Sequence, residues 1–74
     1  MINIIIPVTL NSRTCEINLW RTLFSNDEDK ISVVWYEDGE SIETWDYKDL
    51  TSDLKTQVDY FIEEFDKKQV IKNL

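Results

Sequence analysis

Between Asp49 and Lys68 the apolar residues Leu50, Leu54, Val58, Phe61, Ile62 and Phe65 recur at spacings of three and four. At 100° per residue they share a stripe about 120° wide, a pattern that a helix can bury and a strand cannot. The spacing predicts an amphipathic helix over about residues 50–68. Asp49 or Thr51 is placed to cap it, and Asp53 sits in the turn where the helix dipole favours an anion. Asp59, Glu63 and Asp66 fall on the opposite side, with Asp53 and Glu64 at the flank, so one element carries both a core-forming stripe and a carboxylate face. Lys67 and Lys68 close it with cations in the last turn.

Upstream of this helix the period changes to two. Ile2, Ile4, Ile6, Val8 and Leu10 alternate with Asn3, Ile5, Pro7 and Thr9, which puts the even positions on the core side of a strand over about 2–10. Pro7 has no N–H to give to a ladder and marks a sheet edge or a bulge. Asn11, Ser12 and Arg13 supply turn chemistry. Cys15, Ile17, Leu19 and Leu23 then alternate with Glu16, Asn18, Trp20 and Thr22 in a second strand over about 14–24. Ser25 to Lys30 is polar and reads as a loop. In the third strand, about 31–37, Ile31, Val33 and Trp35 share one face and Val34 and Tyr36 the other, the mark of a central strand.

Asp38-Gly39 is the strongest hairpin signal in the chain and joins this strand to a fourth, about 41–47. A two-residue loop would set Glu37 directly opposite Glu40, an unfavourable like-charge pair, so either a bulged loop relieves them or they lie splayed in water; the bulge is the expectation, and the register leaves Trp35 opposite Ile42 or Ser41. The result is a single α+β domain over residues 1–74: a four-stranded antiparallel meander in the order 1-2-3-4 with the C-terminal helix packed on one face. Val70, Ile71 and Leu74 fall off the stripe and read as a tail or a contact with a second subunit.

A hydrophobic fraction of 42%, with three tryptophans, three tyrosines and three phenylalanines, supports a packed core against a charged fraction of 31%. A domain of 74 residues is nonetheless short of stabilising area. One cysteine and no histidine exclude an internal disulfide and the common zinc sites, which makes a homodimer a natural alternative. Cys15 reads as a small buried hydrophobe in a reducing compartment. The run Ile2 to Val8 has no basic leader and is too short to span a bilayer, so the expected location is cytoplasmic.

Catalysis is not expected. Without histidine, the serine, threonine and cysteine side chains have no partner base. The lone Gly39 cannot build a phosphate cradle, and Asp27-Glu28-Asp29-Lys30 lacks the glycine and distal glutamate of a calcium loop. No cofactor and no metal site are expected.

The net charge of −7 repels nucleic acid and anionic membrane and favours a basic protein surface as partner. A helix packed back along the sheet would bring Asp49 and Asp53 near Asp27, Glu28 and Asp29. Its other end would then bring Glu63, Glu64 and Asp66 near Glu37, Asp38 and Glu40, completing an acidic track along one side. Asp59, Glu63 and Asp66 step along the helix by about 5 to 6 Å, comparable to successive backbone phosphates. Trp20, Tyr36, Trp45 and Tyr60 exceed what a small core absorbs. The expected partner surface is Asp27, Glu28, Asp29, Glu37, Asp38, Glu40, Asp59, Glu63 and Asp66, with Tyr36 and Tyr60 as aromatic contacts.

In size and composition the chain resembles the small acidic proteins that phages and mobile elements use to block host nucleases, repair enzymes or defence complexes. The likeness implies stoichiometric inhibition of a nucleic-acid-binding enzyme by mimicry and assigns no residue a role. Two other readings stand beside it. One is an acidic assembly module joined through the free edge of the first strand; the other is a carboxylate face that only keeps the helix soluble.

Overall fold

Period-two alternation in the first strands turns one face of a sheet apolar, and the helix stripe covers it. The structure, a computed structural model, describes residues 2–21 and 28–72. Strands β1 (Ile2–Leu10), β2 (Arg13–Arg21), β3 (Ile31–Glu37) and β4 (Glu40–Asp46) form one antiparallel sheet in the order β1-β2-β3-β4, and helix α1 (Ser52–Lys72) follows. This is the α+β meander that the sequence predicts. The proline-bearing strand lies at the edge and β3 lies inside.

Ile6 pairs with Ile17, Ile17 with Val33 and Val33 with Trp45, so each strand contributes to a single apolar face. Leu10, Cys15, Ile17, Leu19 and Val33 on the sheet and Val58 on the helix are wholly withdrawn from solvent. Ile31, Trp35, Tyr47, Leu50, Leu54 and Ile62 complete the core, with Phe61 and Trp45 packed on its margin. Each such aliphatic side chain contributes about 1.5–3 kcal/mol on burial. Trp35 meets Trp45 edge to face at 5.0 Å, and the Arg13 guanidinium stands 4.6 Å above the Trp35 ring. Burial raises the pKa of the Cys15 thiol, whose sulfur lies 3.7 Å from the Val8 carbonyl oxygen.

Several boundaries differ from the sequence reading. Thr22 to Phe24, expected to end the second strand, and Ser25 to Asp27 lie outside the described residues, while Glu28–Lys30 form one 3-10 turn. Tyr47 leaves β4 for a second 3-10 turn, Tyr47–Asp49, which drives its ring into the core. Leu50 is extended (φ −76, ψ 149), so α1 begins two residues later than its apolar stripe. Thr51, not Asp49, is the cap: its Oγ1 accepts the Leu54 N–H at 3.2 Å. The helix continues to Lys72, placing Val70 and Ile71 within it and not in a tail. Its 21 residues span about 31 Å, close to the about 30 Å of the nine-residue strands.

The Asp38-Gly39 loop also departs from expectation. Asp38 (φ 53) and Gly39 (φ 83) both adopt the left-handed conformation, and Glu37 pairs directly with Glu40. The irregularity lies in the strand instead: Trp35 faces Glu43 and Tyr36 faces Ser41, which leaves Ile42 as the extra residue. The strong preference of Asp-Gly for the tight turn outweighs the repulsion of two carboxylates that stand in water. Asn11 (φ 50) and Ser12 (φ 66) make an analogous turn between β1 and β2 without glycine.

Two contacts fix the direction of α1. Gln57 Nε2 donates to Asn11 Oδ1 at 3.2 Å in the β1–β2 turn, whereas Asp66 binds Arg21 at the far end of β2. The helix therefore runs in the sense of β4, not back against it. β4 is joined to α1 through a 3-10 turn that stands between two extended residues, Asp46 and Leu50. Among the described residues, no helix is long and apolar enough to cross a membrane.

Candidate functional site

The direction of α1 redistributes the carboxylates. Asp66 lies at the end of the sheet remote from the Asp38-Gly39 turn, so the expected continuous acidic track does not form. Asp66 is also engaged, its two oxygens accepting from both terminal nitrogens of Arg21. Asp59 accepts the Tyr47 hydroxyl at 2.9 and 3.1 Å. Glu63 and Glu64 share Lys67 at 3.4 and 3.6 Å, and they raise its pKa, the hydrogen bond that Lys67 donates to Glu63 being the largest cause. The outer face of the helix is thus bound up with the fold's own cations and hydroxyls.

Around Tyr47 the structure brings together residues from both acidic groups. Burial foremost, then the hydrogen bond to Asp59 and the charges of Asp59 and Glu28, push the Tyr47 hydroxyl up to about 12. Lys55 stands 5.5 Å from the same ring. Asp29 lies beside Glu28 in an exposed turn, and Asp27 lies outside the described residues. Tyr60 is exposed and meets Phe61 edge to face at 5.4 Å on the helix, away from the hairpin. Trp45, expected at the surface, is half-buried against Trp35 and donates from Nε1 to Glu43 Oε2 at 2.8 Å.

A different arrangement holds on the sheet face that α1 leaves uncovered. The pairing places Asn3, Ile5, Pro7 and Thr9 of β1 there, with Thr14, Glu16, Asn18 and Trp20 of β2. Ser32, Val34 and Tyr36 of β3 and Ser41, Thr44 and Asp46 of β4 complete it. This face presents apolar and aromatic side chains with two carboxylates, and among the described residues no lysine or arginine. Trp20 and Ile5, diagonal neighbours across the β1–β2 ladder, are 45% and 52% exposed.

At the hairpin end of this face lies a groove of about 220 Å³ lined by Pro7, Thr14, Cys15, Glu16, Tyr36, Asp38 and Gly39. The register builds it. Pro7 pairs with Glu16, Glu16 with Val34, and Tyr36 stands two residues beyond Val34 on the same face. The pKa of Tyr36 is raised by loss of hydration first, then by the charge of Glu16 and the hydrogen bond its hydroxyl donates to that carboxylate. Glu37 and Glu40 pair across the turn on the other face, the one that carries Trp35; both are exposed, with no cation in salt-bridge contact among the described residues. The nearest guanidinium, that of Arg13, is held on the opposite face over Trp35.

Of the residues expected at a partner surface, Tyr36 and Asp38 therefore meet at the groove, Glu37 and Glu40 lie at the same turn on the other face, and Asp59, Glu63 and Asp66 lie apart. Pro7, Thr14 and Glu16 join Tyr36 and Asp38 and were absent from the sequence-based set. The signal that could have found them is the alternation itself, which puts Pro7 and Glu16 outward once β1 and β2 are paired through the Asn11-Ser12 turn. Among the described residues, no cluster of three or more acidic or thiol side chains is arranged to hold a metal ion. No family model, no curated protein and no solved structure matches the chain.

Proposed function

We propose that this protein is an acidic binding module that inhibits a basic, nucleic-acid-binding enzyme or defence complex stoichiometrically, of the kind phages and mobile elements encode. The observation that carries the reading is the uncovered sheet face, where Trp20, Tyr36, Ile5 and Val34 share the surface with Glu16 and Asp46 and, among the described residues, with no lysine or arginine. Tyrosine and tryptophan anchor protein interfaces because they bury large area at little entropic cost, and a ring of like charge selects partners of the opposite sign. Electrostatic mimicry of nucleic acid would then be exercised by the sheet and its hairpin, since the helix carboxylates serve the fold. A cytoplasmic setting fits such a partner.

The experiment is affinity capture with identification of the partner, followed by a salt series and competition with nucleic acid. The expected partner binds nucleic acid, is displaced by it, and loses affinity as salt rises. Trp20→Ala and Tyr36→Ala should each weaken capture. A partner indifferent to salt, or unaffected by both substitutions, overturns the proposal.

Self-assembly is the second reading, and one observation favours it: β1 is a nine-residue edge strand on which Ile2 and Ile5 are 55% and 52% exposed. An unpaired edge of this length is a template for a second copy. Sedimentation at micromolar concentration separates the two, because a clean monomer leaves the edge without that role.

A further inference from the structure

The groove at the hairpin end is too small for most free ligands, since pockets for drug-sized molecules run from about 300 to 1,000 Å³. At about 220 Å³ it suits one long side chain entering from a partner surface. Its chemistry is specific. Pro7 and the Tyr36 ring supply apolar walls, and Glu16 and Asp38 supply acceptors. The lining contains no donor of positive charge, and Arg13 is committed to the other face.

We infer that this groove seats one arginine side chain of the partner, a conclusion that rests on the reading of that partner as basic. The aliphatic stem lies along Pro7, the guanidinium plane lies against the Tyr36 ring, and its N–H fork donates to Glu16 and Asp38. Lysine fits less well because its compact ammonium neither stacks nor forks, and it is more strongly hydrated. Glu16 keeps the Tyr36 hydroxyl hydrogen bond with one oxygen and offers the other, since a carboxylate accepts several donors.

The test uses the full chain and N-acetyl-arginine amide as probe, read by amide chemical shifts. Saturable changes are expected at Thr14, Glu16, Tyr36, Asp38 and Gly39, several-fold weaker binding for the lysine analogue, and none for the neutral citrulline analogue. The Glu16→Gln/Asp38→Asn double variant should reduce affinity about tenfold, the range for lost hydrogen bonds to a charged group. Asparagine tolerates the left-handed backbone of position 38, and Asp38→Asn alone serves as the milder variant. Equal binding of citrulline, undiminished binding by the variants, or shifts spread equally to Glu63 and Glu64 overturns the assignment; equal lysine binding overturns the choice of arginine. The two proposals fail separately. Localised arginine binding without a basic captured partner sinks the function and keeps the groove; a salt-sensitive partner indifferent to the double variant does the reverse.

Discussion

Arg21 donates through both terminal guanidinium nitrogens to the two carboxylate oxygens of Asp66, tying the last residue of β2 to a helix residue 45 positions later. Asp66 was expected to be a free anion on a functional face. Its partner makes it a structural residue, because the paired fork holds α1 over the end of the sheet farthest from the hairpin.

Asp66→Asn therefore separates the two roles. Substitution weakens a charge-assisted pair whose carboxylate is 38% exposed, so the cost is discounted for solvent to about 1 kcal/mol, or roughly 4–8 °C in Tm. Glu63→Gln makes the same change in net charge and should leave Tm nearly unchanged. Equal shifts in the two variants would show that net charge, not the pair, decides. The hydrogen bond that Arg21 donates to Asp66 raises the guanidinium pKa further, so as far as the guanidinium is concerned this contribution is fully present at and below neutral pH and is lost only at extreme alkaline pH.

Tyr47 supplies a pH dependence that can be read directly. Its hydroxyl is neutral and donates to Asp59, and its folded pKa of about 12 lies above the ordinary 10.0. A raised folded value means that the stability is fully present below pH 10 and is lost as pH climbs through about 12. Stability measured against pH should fall across that window, with phenolate absorbance rising alongside. Tyr47→Phe should cost about 0.5–1.5 kcal/mol at neutral pH and flatten the alkaline limb. Identical alkaline profiles for the two proteins would remove Tyr47 as the cause.

Both turns hold a non-glycine residue at their first left-handed position, Asn11 and Asp38, but they differ at the second. Ser12 holds φ at 66 with a Cβ, whereas Gly39 carries the equivalent position at φ 83 without one. Ser12→Gly should raise stability by about 1 kcal/mol, since a non-glycine residue in this conformation costs about that much and Asn-Gly is the preferred pair for the turn. Chemical denaturation with an unchanged m-value is the measurement. A loss of stability would mean that chain entropy gained by the unfolded glycine outweighs the relief.

The elements were legible in the sequence because each has its own period. The stripe from Leu50 to Phe65 specifies a helix, and the alternation from Ile2 to Leu10 specifies a strand with Pro7 facing outward. Neither period says which way the helix lies across the sheet. That is decided by Gln57 meeting Asn11 and Asp66 meeting Arg21, contacts between residues about 45 positions apart that no local pattern encodes. The carboxylate track failed for this reason, and the groove was missed for a related one: it needs the registers of β1–β2 and β2–β3 at once. The grouping of Glu37, Asp38 and Glu40 at one turn is legible because that turn is local.

Glu37 and Glu40 face each other across the tight turn, with no cation in salt-bridge contact among the described residues, an arrangement that opposes folding. Glu40→Lys converts repulsion to attraction and should stabilise by about 0.5–1 kcal/mol, raising Tm by roughly 3–6 °C at low ionic strength. The gain should shrink in about 1 M salt, where the screening length is only about 3 Å. If the hairpin acids serve a basic partner, the same variant binds that partner more weakly while folding more tightly. Such opposed changes are the signature of a charge kept for recognition at the expense of stability. A Glu40→Lys protein that is more stable and binds the partner as well as before would confine the pair to the fold.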